Sequence, residues 1–491
     1  MDILNGVLSA LSPENLLYAF VGSLVGTLVG VLPGIGSISA VAILFPFTAY
    51  LPPDGMIITM AAIFYGSMYG GSTTAILMNV PGEVSSVVTA FDGYAMTKEG
   101  RPGPALAISA ITSFIAGIIG TVLVAVIGPS VARLAFGFGP AEYLGLALFG
   151  MTAISALSGG SMVKAFIVAV VGMILVSVGV DMSDIPRLTF GQTDLLLGFE
   201  LAPVMIGLFG VAEVFGSLES GKSVTVHRLG KLMPTRAELR ASVGSVLRAT
   251  AVSFPLGMLP GMATSICSFL AYQIERKVSP TPERFGKGAV EGVAAAEAAN
   301  NAAGMAHFVP LLSLGIPTGA TMALLLAAFN MYGITPGPTL FSDHASLVWT
   351  VIGSFFIANI IMLALNLPLV GLWARLITVP YPVLAPLILL LCAVGSYVPR
   401  NNLFDVWVCF AFGLLGWLMT KRNWPVAPLV LAYVLGPIIE RSARQVWAVS
   451  PDLLLERPVF WMFIAAGVIA VVWGRNNPAL SAEAGPAEGK D

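Results

Sequence analysis

The sequence predicts an all-α polytopic membrane protein of about twelve transmembrane helices, some of them broken or re-entrant, built as two internal repeats that are expected to be inverted. Three observations lead there. The 491 residues are 57% hydrophobic and only 10% charged, against roughly 25% charged in an ordinary soluble domain. Apolar stretches close to the roughly 20 residues that a helix needs to cross the hydrocarbon core recur along almost the whole chain. Those stretches are continuously apolar, as in Phe166 to Val180 and Val459 to Trp473, whereas barrel strands alternate.

From the N-terminus, "MDILNGVLSALSPENLL" lacks the basic region and small-residue cleavage site of a secretory signal, so the first apolar segment is expected to stay in the mature protein. Residues 1–217 form a first membrane half and 248–474 a second. Between them, 218–247 is read as a connecting loop whose Lys222, Arg228, Lys231, Arg236 and Arg240 place it in the cytoplasm. No Lys or Arg precedes Lys98, which puts the N-terminus outside. The tail 475–491 is polar and expected to be disordered. Cys267, Cys392 and Cys409 lie in apolar runs without CxxC spacing and are expected as buried free thiols. A net charge of -2 points to no nucleic acid.

Leu16 to Tyr50 is 35 mostly apolar residues, and one helix of that length would measure about 52 Å against a core of about 30 Å. The stretch must break, and Pro33-Gly34 supplies the break, since proline removes a donor and glycine permits the turn. The same device recurs. "GVLPGIGS" (Gly30 to Ser37) is answered by "GMLPGMATS" (Gly257 to Ser265), "NVPGE" (Asn79 to Glu83) by "GIPTG" (Gly315 to Gly319), and "GPAL" (Gly103 to Leu106) by "GPTL" (Gly337 to Leu340). Order is kept and spacing nearly so, as in carriers built from two repeats.

Non-helical backbone at membrane depth survives only inside protein or along a watery cavity. In "YGGSTTAILMNVPGE", interruptions at Gly70-Gly71 and Pro81-Gly82 would expose helix N-termini that attract anions. Ser72, Thr73 and Thr74 add hydroxyls, and Asn79 an oxygen for a small hard cation. The alternative for Gly66, Gly70 and Gly71 is close helix packing through small residues. In "EGVAAAEAANNAAG", Glu297, Asn300 and Asn301 share one face of an alanine helix, where a carboxylate and two amides look into a cavity or onto a partner. Glu291 is read as interfacial and His307 as a packed, hydrogen-bonded side chain. Lys164, Arg133 and Arg375 lie near segment ends, so an anionic substrate would meet helix N-termini and hydroxyls. With histidines only at 227, 307 and 344, no catalytic group assembles and no enzyme is expected. A channel would need a single filter element, which is not seen; a non-transporting scaffold subunit is the other alternative.

"YGGSTTAILMNVPGE", "TAFDGYAM", "GRPGPAL", "GVLPGIGS" and "FGKGAVEGVAAAEAANNAAGMAHFVPLLSLGIPTGATMALLLAAF" together resemble the large membrane subunit, TctA, of the tripartite tricarboxylate transporters. The likeness runs from about Leu16 to about Glu440. It implies a bacterial inner-membrane carrier that imports an organic carboxylate, a tri- or dicarboxylate such as citrate. Its partners would be a small four-helix membrane subunit and a periplasmic solute-binding protein. A sodium or proton gradient would drive it, without ATP. Two broken-helix repeats around a midplane site point to alternating access, and the paired hairpins favour an elevator slide over a rocking motion. No phosphate-binding loop is present. Carried onto this chain, the resemblance places the site at Gly34, Ser72, Thr73, Pro81, Gly82, Glu297, Asn300, Asn301 and Pro317, although Thr318 stands where the family usually has glycine. Polarity and position then assign substrate to Gly34, Ser72, Thr73, Pro81, Gly82, Asn300, Asn301, Pro317 and Thr318, and the coupling cation, Na+ in the sodium case, to Asn79, Glu297 and Asn301.

Overall fold

The computed structural model describes residues 2–32, 36–157, 161–220, 231–376, 381–450 and 452–476. Helices dominate; the only strands among the described residues are Gly179–Val180 and Pro186–Arg187, paired as a small antiparallel hairpin. Six described helices are long and apolar enough to cross a bilayer: Pro13–Val31, Pro102–Ala135, Leu201–Glu219, Ala345–Asn366, Leu403–Lys421 and Pro458–Arg475. Shorter apolar helices, among them Ser37–Thr48 and Ala320–Met331, accompany them. The three cysteines are free and buried.

The stretch from Leu16 to Tyr50 is broken, as its length requires. Helix Pro13–Val31 starts with Pro13 in its first turn and the Ser12 hydroxyl accepting the Asn15 N–H at 3.3 Å. It stops before Pro33, and Ser37–Thr48 follows; Pro33 and Gly34 lie outside the described residues. In the second half Arg236–Gly257 stops before Pro260, Gly261 turns the chain at φ 86°, and Thr264–Val278 follows. Arg236 and Arg240 thus belong to a helix, whose start is secured by reciprocal bonds between Thr235 and Glu238. The second pair of breaks is equally clear. Pro53–Met78 ends at Asn79 with φ 56°, and Phe308–Leu314 ends at Gly315 with φ 69°, each two residues ahead of a proline.

One expected interruption is absent. Pro53–Met78 runs unbroken through Gly70-Gly71, because these glycines serve packing. A Cβ on Gly66 would come within 2.6 Å of the Ser23 carbonyl oxygen, and one on Gly70 within 2.4 Å of that of Thr27. From the other side Gly22, Gly26 and Gly30, one turn apart, bring Pro13–Val31 against Thr59, Ile63 and Ser67 of the same helix. The corresponding positions before Pro260 are Ala249, Ser253 and Gly257, and Gly257 lies against Ala303 of Val290–Ala306.

Two helices form the centre. Pro53–Met78 is buried from Gly55 to Met78, and Val290–Ala306 at every residue but Glu291. Polar groups on them therefore face protein and not lipid. Around them Pro102–Ala135 packs on Val290–Ala306, while Ala345–Asn366 packs on Pro53–Met78. These two outer helices meet where the Asn359 Oδ1 lies 2.1 Å from the point a Cβ on Gly117 would occupy. Gly117 and Asn359 stand in matching pentapeptides, "IAGII" and "IANII".

The molecule has two unlike faces. On one, Arg101 pairs with Glu238, Lys231 lies against Gly103, Lys421 pairs with Glu219, and Lys164 reaches the Arg422 carbonyl at 3.0 Å. At the opposite ends of these helices sits the hairpin, where Arg187 and Arg444 both pair with Glu440 and Arg444 also with Asp181. The Ile185 N–H and then the Arg444 guanidinium hold the Asp181 carboxyl down at about 2.

Candidate functional site

Glu297 is the best-held polar group in the centre. It sits midway along Val290–Ala306 and is 1% exposed. Three hydroxyls from three first-half helices donate to it: Ser72 to Oε1 at 2.7 Å, Thr89 to the same oxygen, and Ser113 to Oε2 at 3.0 Å. One turn on, the Asn301 amide donates to the Glu297 carbonyl at 3.0 Å, and the Tyr65 hydroxyl donates to the Asn301 carbonyl at 2.8 Å. The side-chain oxygens of Asn300 and Asn301 and the hydroxyl of Tyr69 are buried without a protein partner. Among the described residues Glu297 has no ion-pair partner. A buried carboxylate with hydroxyls but no cationic side chain is satisfied as an acceptor, yet no protein group compensates its charge.

A second carboxylate joins the two first-half breaks. Glu83 accepts from Ser37, at the start of the helix after Pro33, from Ser85, and from the Asn300 amide at 3.3 Å. It also caps the short turn Val84–Ser86, its side chain accepting the Ser86 N–H. Beside it the Gly82 N–H donates to the Gly71 carbonyl at 3.3 Å, and a Cβ on Gly71 would press on the Glu83 side chain at 3.0 Å. The two second-half breaks are likewise joined, by the Gly261 N–H donating to the Thr318 carbonyl at 3.2 Å. There the Thr318 hydroxyl is buried without a partner.

Of the residues expected to form a site, Glu297 comes together with Ser72 and Asn301, and Asn300 joins the second carboxylate, Glu83. Thr73 is buried beside Ser72, and none of the Glu297 contacts comes from it. Pro81 and Gly82 belong to the first-half junction, Pro317 and Thr318 to the second. Asn79 is exposed and serves as the left-handed end of its helix. Gly34 lies outside the described residues. His307 is packed and hydrogen-bonded, its Nδ1 2.8 Å from the Gly257 carbonyl oxygen.

The sequence reading missed Glu83, Thr89, Ser113 and Asp92. Asp92 is fully buried and accepts from the Gly286, Gly288 and Ala289 N–H groups at 2.8 to 2.9 Å and from the Tyr272 hydroxyl at 2.8 Å. It thereby holds the turn that leads into the helix carrying Glu297, up to its N-cap residue Ala289. The second half returns the gesture, because the Tyr332 hydroxyl donates to the Ala49 and Leu51 carbonyls just ahead of Pro53–Met78. Asp92 and Tyr332 lie in related runs, "AFDGY" and "AFNMY". That likeness was the available signal.

On the hairpin face a cleft of about 1120 Å³ opens between Pro140–Leu157, Ala320–Met331 and Ala427–Val449. Tyr143, Glu200, Arg441 and Gln445 line it, and it reaches Leu314 and Gly315 at the second-half break.

Residues 16–431 match the family described as "Tripartite tricarboxylate transporter TctA family". An Agrobacterium vitis protein described as an uncharacterized 52.8 kDa protein in the TAR-I ttuC' 3' region is 43% identical over 482 residues, covering 96% of this chain and 96% of that protein. A second from the same organism, described as an uncharacterized protein in the TAR-II ttuC' 3' region, is 40% identical over 220 residues, covering 44% of this chain and 91% of its own length. No solved structure matches.

Proposed function

Since the chain belongs to the TctA family of tripartite tricarboxylate transporters, a transporter subunit that works with further subunits, we propose that it imports an organic carboxylate by cation-coupled alternating access. Its partners are a small four-helix membrane subunit and a periplasmic solute-binding protein that delivers the substrate. One observation carries the coupling: Glu297 is buried, held by three hydroxyls and without a cationic partner. Sodium or a proton bound at Glu297, with Asn301 beside it, makes the neighbouring space favourable for an anion, and the anion does the same for the cation.

The two halves act as inverted copies in the inner membrane. Support comes from the like order of breaks and from Gly117 meeting Asn359 in the matching pentapeptide, since a residue that touches its own counterpart lies on a symmetry axis. The face with Lys98, Arg101, Lys231 and Lys421 is cytoplasmic. The cleft then opens to the periplasm, where the delivering protein docks.

The test is uptake of radiolabelled citrate, succinate or benzoate into liposomes holding this chain and its small partner, with loaded binding protein outside. Uptake that follows a sodium or proton gradient and is lost in Asn301→Ala supports the reading. Uptake indifferent to both gradients overturns the coupling.

A further inference from the structure

The two loops that end the central segments are built alike until their last residue. "NVPGE" ends in Glu83 and "GIPTG" in Gly319, each two residues after the proline. In the first half the Glu83 carboxylate fills the space where two helices begin, Ser37–Thr48 and, through the turn Val84–Ser86, Val87–Lys98. Hydroxyls of Ser37 and Ser85, the Asn300 amide and the Ser86 N–H all donate to it. Such a donor set at two helix N-termini is a carboxylate seat, and the chain's own carboxylate occupies it.

In the second half the same position is open. Thr264–Val278 and Ala320–Met331 begin there, uncapped by a side chain like Ser37–Thr48 and Val87–Lys98, but with no carboxylate between them. Gly319 has an extended backbone, φ -166°, which any residue can adopt, and a Cβ built on it meets nothing within 4 Å. Neither backbone strain nor close packing therefore requires a glycine. Next to it the Thr318 hydroxyl, in a residue 3% exposed, has no partner, although a buried hydroxyl normally finds one. Thr264 stands four residues after Pro260 as Ser37 stands four after Pro33.

We infer that the second-half junction at Thr318 and Gly319 is the seat for a carboxylate group of the transported anion, and that Glu83 is the built-in occupant of its first-half twin. Glycine at 319 leaves the room that Glu83 fills on the other side. This rests on the carrier reading above.

The decisive variant is Gly319→Glu, which copies the first-half arrangement into the second. The purified full chain is melted with and without citrate, succinate or benzoate, and uptake is measured with the partners present. The variant is expected to melt higher than wild type without ligand, because the new carboxylate would face two helix N-termini as Glu83 does. It should show no further rise with a ligand that stabilises wild type, and its uptake should fall by about 100-fold or more from charge repulsion and a filled seat. Gly319→Gln should keep more uptake than Gly319→Glu. Thr318→Val, which is less exposed to folding failure, should raise the half-saturating concentration by about 5- to 10-fold for the loss of one hydrogen bond. A ligand-induced rise retained in Gly319→Glu, or unchanged half-saturation in Thr318→Val, overturns the assignment. If wild type itself neither binds nor takes up any of the three acids, the carrier reading fails instead.

Discussion

The two central helix pairs share a plan and differ in chemistry. Pro13–Val31 lies on Pro53–Met78 and Arg236–Gly257 on Val290–Ala306, each with small residues one turn apart and a proline break at the end. On the first pair the stripe is Gly22, Gly26 and Gly30; on the second it is Ala249, Ser253 and Gly257. The first central helix supplies a hydroxyl from Ser72, and the second supplies the carboxylate and amides of Glu297, Asn300 and Asn301. A shared plan thus carries chemistry that is not shared, and each half completes what the other lacks.

The largest effect should come from breaking that complementarity. Glu297→Gln keeps the shape and one acceptor oxygen for Ser72 and Thr89 but removes the charge, and cation-dependent uptake should fall by about 100-fold. Wild-type uptake in that variant would mean the second half's carboxylate is not what distinguishes it. Next in size is the packing. Gly26→Val drives a side chain into the Ile63 backbone, 2.4 Å from where a Cβ would lie, and should cost about 1–3 kcal/mol or more. The counterpart Ser253→Ala should cost less than about 1 kcal/mol, both read by thermal melting in detergent.

Asp92→Ala leaves the two buried N–H groups of Gly288 and Ala289 without an acceptor and should destabilise by about 1–3 kcal/mol. Asp92→Asn retains one acceptor oxygen and should recover much of that loss. The reciprocal Tyr332→Phe should cost only about 1 kcal/mol; equal losses for Asp92→Ala and Tyr332→Phe would make the two straps equivalent. At the helix ends the two halves should part company. Gly315→Ala should cost about 1–3 kcal/mol, because its positive φ is joined by a Cβ that would lie 2.4 Å from the Pro336 carbonyl oxygen. The smallest effect belongs to Asn79→Gly, which should be neutral or slightly stabilising, because asparagine tolerates that backbone less well than glycine.

The breaks were legible in the sequence because proline and glycine act locally: helices end before Pro33, Pro81, Pro260 and Pro317 as expected. The Glu297 face was legible because alanine surrounds it. Gly70-Gly71 was misread as an interruption, since a glycine pair that thins a helix for close approach looks the same as one that ends it. Glu83, Asp92, Thr89 and Ser113 escaped notice for a different reason. Each has a partner some 200 residues away in the other half, and no periodicity within one segment reports such a pairing.

Pro102–Ala135 is 34 residues without a break, about 51 Å of continuous helix. Ser113 on it holds Glu297, and fifteen residues later the Gly128 carbonyl accepts the Ser313 hydroxyl at 2.8 Å, just ahead of the Gly315 turn. It is a ruler laid between the charge and the loop, with the two marks about 22 Å apart. Any rearrangement that slides the loop relative to the carboxylate has to let go of one mark. Distances from a probe on this helix to each of the two would show which grip is released first.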